Sequence, residues 1–156
     1  MPERPIATST MVLAFDFGTR RIGVAVGETM IGQARALDTI EGESNELRFA
    51  AIARVIGEWQ PTRLLVGLPL SVEGEAHEMT ARCKRFANQL QGRFALPVIL
   101  VDERYSSTEA ETSLREAGIQ TRTDKGRIDA QAARILLQSY FDGGDAVLIA
   151  HASKSA

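Results

Sequence analysis

Residues 12–27 read VLAFDFGTRRIGVAVG, two apolar runs rich in strand-forming residues that flank a short polar turn. This pattern predicts two strands joined as a β-hairpin. Asp16 shares a strand face with Val12 and Ala14, because successive side chains of a strand point to opposite faces. A carboxylate within a buried strand needs a compensating charge, a metal ion or hydrogen-bond donors. The structural alternative is an Asp16 that only accepts hydrogen bonds from turn N–H groups near Gly18.

The composition is that of one globular domain, with 156 residues, 44% hydrophobic and 24% charged. The formal net charge of −2 gives no global basic surface, so any nucleic-acid binding depends on local cations. The sequence contains neither an apolar run long enough to span a membrane nor an export signal, which indicates a cytoplasmic protein without membrane association. We predict a flexible leader at 1–10, a domain at 11–143 and a C-terminal tail at 144–156.

Hydrophobic periodicity predicts five strands and four helices within this domain. The predicted strands are 12–17, 22–26, 32–40, 63–67 and 97–101, and the predicted helices are 45–60, 75–91, 107–117 and 125–141. The order predicts an α/β fold with a mixed five-stranded sheet, a three-strand antiparallel meander plus two parallel strands, flanked by helices. In helix 45–60 we count Leu47 among the apolar positions. The single cysteine, Cys83, excludes an intramolecular disulfide and is predicted to be a structural thiol.

Two further acids stand at positions where ligands bind to such sheets, beyond the carboxyl ends of the parallel strands. Glu103 follows strand 97–101, with Asp102 on the opposite face. Asp129 begins a stripe on the last helix that continues with Ala132, Ala133, Leu136, Leu137 and Tyr140. Ordinary strand-end and helix-dipole charges are the alternatives for these two acids.

Three clustered carboxylates repel one another, so the cluster needs bound protons or cations. Carboxylate oxygens favour Mg²⁺ or Mn²⁺. The two histidines, His77 and His151, and the one cysteine have no zinc-ligand spacing. The same scarcity of histidines argues against a Ser-His-Asp hydrolase.

The chain resembles the YqgF family, whose members are described as Holliday junction resolvases and as pre-16S ribosomal RNA nucleases. The motifs that carry the resemblance are DFGTRRIGVA at 16–25, VGLPL at 66–70 with Gly74, VDERYSS at 101–107 with Glu109-Ala110, and KGRIDAQAA at 125–133. The family more often has leucine and threonines where this chain has Tyr105-Ser106-Ser107. Both versions retain hydroxyl groups, so we expect little change.

This resemblance implies a ribonuclease H-like fold and metal-dependent hydrolysis of phosphodiester bonds. It implies that Asp16, Glu103 and Asp129 are the catalytic acids and the ligands of Mg²⁺ or Mn²⁺. Basic residues near the motifs are candidates for binding the nucleic-acid backbone. They are Arg20, Arg21, Arg104, Lys125 and Arg127. A solvated surface charge is the alternative for each, and a salt bridge is a further one for Arg104.

The function we expect is 5′-end maturation of pre-16S rRNA during ribosome biogenesis, with precursor RNA or a small-subunit precursor as partner. Cleavage of branched DNA and a non-catalytic ribosome-assembly or nucleic-acid-binding module are the alternatives, and the sequence leaves monomer and homodimer open. An Asp-x-Gly-Thr hairpin also occurs in actin-type ATPases. Those enzymes need a second domain and a second phosphate loop, which this chain lacks.

Overall fold

The computed structural model describes residues 10–18, 20–42, 44–68, 78–102, 125–142 and 148–151. These residues form six strands and three helices. In chain order they are β1 Met11–Phe17, β2 Arg21–Glu28, β3 Gln33–Glu41, α1 Asn45–Trp59, β4 Arg63–Leu68, α2 Glu78–Phe94, β5 Val98–Asp102, α3 Lys125–Asp142 and β6 Leu148–His151. The five predicted strands are confirmed, as are three of the predicted helices. The helix predicted at 107–117 lies outside the described residues.

The six strands form one sheet in the order β3-β2-β1-β4-β5-β6. β1, β2 and β3 pair antiparallel, whereas β4 runs parallel to both β1 and β5. The mixed sheet predicted from the sequence is therefore confirmed. The sequence analysis predicted no strand within 144–156, but β6 pairs antiparallel with β5 there. This short strand satisfies backbone groups that β5 would otherwise expose at the sheet edge.

One face of the sheet packs against α1 and α2. The buried side chains of this core come from both the strands and the two helices and include Leu13, Phe15, Val24, Leu64, Ile52, Cys83, Phe86 and Leu90. Cys83 is fully buried, which agrees with its predicted structural role. Leu47, one of the apolar residues whose spacing predicted α1, is 70% exposed, whereas Arg48, Phe49 and Ile52 are buried.

Helix α3 covers the opposite face. Ala133, Leu136 and Leu137 pack there on Val12, Ala14, Ala25, Leu65, Ile99 and Val101. The predicted core-facing stripe is thereby confirmed for these three helical residues, and Tyr140 packs against the same cluster. The far end of α3 lies so close to β2 that a Cβ at Gly27 would come within 2.6 Å of the Phe141 ring.

Gln138 of α3 forms hydrogen bonds with the turn between β2 and β3 and with the beginning of β3. Its side-chain oxygen accepts a hydrogen bond from the Ala34 N–H at 2.8 Å, and its amide nitrogen donates to the Gly32 carbonyl at 2.9 Å. These bonds fix the position of α3 along β2. In the part of the chain that the structure describes, no helix is long and apolar enough to cross a bilayer.

Candidate functional site

Asp16 lies near the end of β1, where the parallel strands of the sheet also end. The register aligns Phe15 of β1 with Val66 of β4 and Leu100 of β5. β1, β4 and β5 therefore finish at one edge of the sheet, as the sequence predicted. Val12 and Ala14 face α3, so alternation places the side chain of Asp16 on the α3 face as well.

The backbone of α3 at Asp129 and Ala130 lies directly against Gly23 of β2. An ideal Cβ at Gly23 would lie 1.9 Å from the Asp129 carbonyl oxygen and 2.9 Å from the Ala130 nitrogen. Only a residue without a side chain permits this approach. Gly23 is also the cross-strand partner of Asp16, and such partners have Cα atoms roughly 4.5–5.5 Å apart. The fold thus brings Asp16 and Asp129 together on one face, although more than a hundred residues separate them.

Arg21 pairs with one of these two acids. Its Nε donates to Asp129 Oδ2 at 2.9 Å, and the two side chains are 29% and 28% exposed. From the sequence, Arg21 was predicted to be a nucleic-acid ligand or a solvated surface charge, and its pairing with Asp129 was not predicted. Arg21 has the same strand parity as Gly23, and this is the sequence signal that places it on the α3 face beside Asp129.

The remaining candidates are one acid, Glu103, and four basic residues close in sequence to the ends of β1, β5 and α3. Glu103 and Arg104 lie outside the described residues, immediately after Asp102, the last residue of β5. Lys125 and Arg127 belong to the first turn of α3, next to Asp129 in sequence. Arg20 is exposed and immediately precedes β2.

Asp16 and Asp129 have the donor chemistry of a divalent-cation site, since carboxylate oxygens are the preferred ligands of Mg²⁺ and Mn²⁺. Among the described residues no group of three histidine, cysteine, aspartate or glutamate side chains could hold a metal ion. The described portion of the site therefore supplies two carboxylates, with the guanidinium of Arg21 as a local positive charge.

Arg48 is a residue of this region that sequence reasoning missed. It lies in α1, on the other face of the sheet, and is only 4% exposed. Its guanidinium donates to the Gly18 carbonyl and lies 5.0 Å from the centre of the Phe17 ring. Arg48 therefore contacts the two residues that follow Asp16 and stabilises the end of β1. No local pattern distinguishes such a buried arginine from a solvated one on the same helix.

Comparison with known proteins agrees with this arrangement. The family described as "RuvX: Holliday junction resolvase" matches residues 10–143. A protein of Methylobacillus flagellatus named "Putative pre-16S rRNA nuclease" is 53% identical over 143 residues, covering 92% of this chain and 98% of that protein. A protein of the same name from Burkholderia vietnamiensis is 51% identical over 136 residues, covering 87% and 91% of the two chains.

Among solved structures, the chain is similar to one described as "T. thermophilus RuvC in complex with Holliday junction substrate". The TM-score is 0.56 at 16% identity, and the match covers 90% of this chain and 99% of RuvC. This similarity confirms the predicted ribonuclease H-like fold. The family match and the curated relatives confirm the family that the four motifs predicted, and the chain belongs to the RuvX (YqgF) family.

Proposed function

We propose that this protein is a metal-dependent nuclease that hydrolyses a phosphodiester bond in the 5′-end maturation of pre-16S rRNA. The observation that carries the proposal is the close approach of Gly23 to the backbone of α3 at Asp129 and Ala130. This contact places Asp16 and Asp129 on one face at the end of the parallel strands. The names of the curated relatives support pre-16S rRNA as the substrate.

Asp16 and Asp129 are the proposed ligands of Mg²⁺ or Mn²⁺. We propose Glu103 as the third acid, because it directly follows β5 and has the parity of Ile99 and Val101, which face α3. When bound, the cation supplies positive charge that activates water and stabilises the departing oxygen.

The basic residues have two proposed roles. Arg21 orients the Asp129 carboxylate through its hydrogen bond at 2.9 Å. Arg20, Arg104, Lys125 and Arg127 are the proposed contacts to substrate phosphates, and Arg21 joins them if the cation displaces it from Asp129. Substrate binding of this kind weakens as salt rises, since each phosphate contact releases counterions.

A second candidate substrate is branched DNA, because the matching family is described as a Holliday junction resolvase. Symmetric cleavage of a four-way junction requires two active sites, and therefore a homodimer. The proposed acids would be the same for both substrates. A ribosomal role would place the protein in the cytoplasm.

The test uses the purified full chain with labelled precursor 16S RNA and, separately, with a labelled four-way DNA junction. We expect RNA cleavage that requires Mg²⁺ or Mn²⁺ and that stops on chelation. Asp16→Asn and Asp129→Asn are expected to abolish cleavage. Asp38→Asn is the matched control and is expected to retain full activity, since Asp38 is exposed on β3 and pairs with Val24, whose side chain lies on the α1 and α2 face.

The other outcomes separate the alternatives. If the protein cleaves the junction and leaves the RNA intact, the substrate of the site is branched DNA. Absence of cleavage of either substrate would favour a non-catalytic module. Full activity of Asp129→Asn would remove Asp129 from the mechanism.

A further inference from the structure

A second cationic site lies on the opposite face of the sheet from Asp16 and Asp129. There α1, α2 and the end of β1 enclose a cavity of about 420 Å³. Its described lining includes Arg48 of α1, Arg82 and Arg85 of α2, and the ring of Phe17. We call this cavity the arginine pocket. Its volume falls within the range of about 300–1,000 Å³ that is typical of small-ligand sites.

The described charged residues that line the arginine pocket are all positive. Among its described lining residues three are arginines and none is acidic. The Glu78 carboxylate lies 3.4 Å from Arg82 in a largely exposed pair. Glu78 therefore offsets one of the three arginine charges, and the four side chains together keep a net charge of +2. Clustered cations repel one another, and an anion between them would relieve that repulsion.

The pocket has a fixed cationic floor. Arg48 is 4% exposed, donates to the Gly18 carbonyl and stacks over the Phe17 ring. These contacts hold its guanidinium in one orientation. Arg82 and Arg85 are three residues apart on α2 and therefore project from the same side of that helix. One buried guanidinium beside two exposed ones is an arrangement suited to bidentate recognition of phosphate.

The other wall of the pocket is aromatic. Phe17 packs against Phe86 with ring centroids 4.7 Å apart, and Phe86 also packs against Phe49 at 5.8 Å. Phe17 is the partly exposed member of this group. Arginines beside an aromatic surface are typical of sites that bind single-stranded nucleic acid.

The arginine pocket and the acidic pair, Asp16 and Asp129, both lie at the end of β1. Phe17 lines the pocket and directly follows Asp16, and adjacent side chains of a strand point to opposite faces. A nucleic-acid strand held at Asp16 therefore reaches the arginine pocket by passing around the end of β1. We propose that the arginine pocket binds a phosphate group of a single-stranded segment of nucleic acid. The pocket then anchors the strand on the face of the sheet opposite the acidic pair.

The proposed nuclease function enters this proposal at one point, the identification of the bound strand as substrate. Binding is therefore measured without cleavage. A short fluorescein-labelled single-stranded oligoribonucleotide is titrated with the full chain in chelator, and fluorescence anisotropy reports the dissociation constant. Arg82→Gln/Arg85→Gln is expected to weaken binding about tenfold. The slope of log affinity against log salt concentration is expected to fall by the amount that corresponds to the loss of about one to two phosphate contacts.

The matched control is Arg54→Gln/Lys84→Gln. These exposed cations lie on the same two helices, outside the described lining of the pocket, and their removal changes the net charge equally. The control is expected to weaken binding less than about twofold. It reduces the long-range attraction between protein and strand but removes no side chain of the pocket. Thermal melting of both double variants verifies that each is folded.

Competition identifies the source of the phosphate. A nucleoside monophosphate or inorganic phosphate is expected to displace the oligoribonucleotide only at far higher concentration than the unlabelled strand does. Equal weakening by the two double variants would overturn the proposal. Binding of inorganic phosphate or mononucleotide without binding of the strand would overturn the assignment to nucleic acid. Failure of the nuclease proposal would instead appear as absent cleavage, and it would leave this binding result unaffected.

Discussion

Replacing Gly23 with alanine should separate α3 from β2 at the candidate site. The new Cβ would lie 1.9 Å from the Asp129 carbonyl oxygen and 2.3 Å from its carbonyl carbon. Ordinary contacts begin near 3.4 Å. The difference is about 1.5 Å, and the atoms that must move are backbone atoms, which cannot rotate away as a flexible side chain would. The backbone of α3 at Asp129 and Ala130 must therefore shift, and the Asp129 side chain must shift with it.

The displacement predicts two measurable losses. Overpacking in a well-packed interior costs roughly 1–3 kcal/mol of unfolding free energy. A misplacement of about 1 Å in catalytic geometry can cost roughly a hundredfold in rate. Urea unfolding followed by the fluorescence of Trp59, the one tryptophan of the chain, measures the first loss. The initial rate of cleavage of labelled substrate measures the second.

Gly57→Ala provides the matched control. Gly57 lies within α1, and an added Cβ there would meet nothing within 4 Å. Alanine is favoured over glycine within a helix by roughly 0.5–1 kcal/mol. We therefore expect a small gain in stability with unchanged cleavage. A Gly23→Ala protein with normal stability and normal rate would refute the argument that Gly23 sets the position of Asp129.

Three further outcomes follow from named contacts. Arg21→Gln should lower the unfolding free energy by less than about 1 kcal/mol, since its pair with Asp129 is partly exposed, yet it should slow cleavage markedly; a stability loss well above that would contradict this. Gln138→Ala should cost about 1–3 kcal/mol in urea unfolding, because it leaves backbone groups of the β2–β3 turn unpaired; exposed Asn88→Ala is its control and should change little. The buried Cys83 thiol should react with a disulfide reagent only as the protein unfolds in urea, and rapid labelling of the native protein would show that α2 opens locally.

Much of the fold was predictable because its signals are local. Strand alternation placed Asp16 on the same face as Val12 and Ala14, and the structure covers that face with α3. The 3.6-residue periodicity of the last helix likewise predicted the burial of Ala133, Leu136 and Leu137. These periodic features depend on backbone geometry, which the residues of one segment already determine.

The remaining features depend on contacts between distant segments. The approach of α3 to Gly23 and the pairing of Arg21 with Asp129 join residues more than a hundred positions apart. Strand β6 is defined by the edge of β5, and its four residues carry too short a pattern to predict alone. Arg48 is buried because it contacts the end of β1, a neighbour that the sequence of α1 does not reveal.

The central claim is that the acidic pair of Asp16 and Asp129 matures the 5′ end of 16S rRNA. The most direct test replaces the chromosomal gene with Asp129→Asn in the source cell and maps the 5′ ends of 16S rRNA by primer extension. An Asp38→Asn strain serves as control, and immunoblotting verifies equal protein levels. The account predicts accumulation of 5′-extended 16S rRNA in the Asp129→Asn strain alone. Fully mature 5′ ends in that strain, at a normal level of the variant protein, would contradict it.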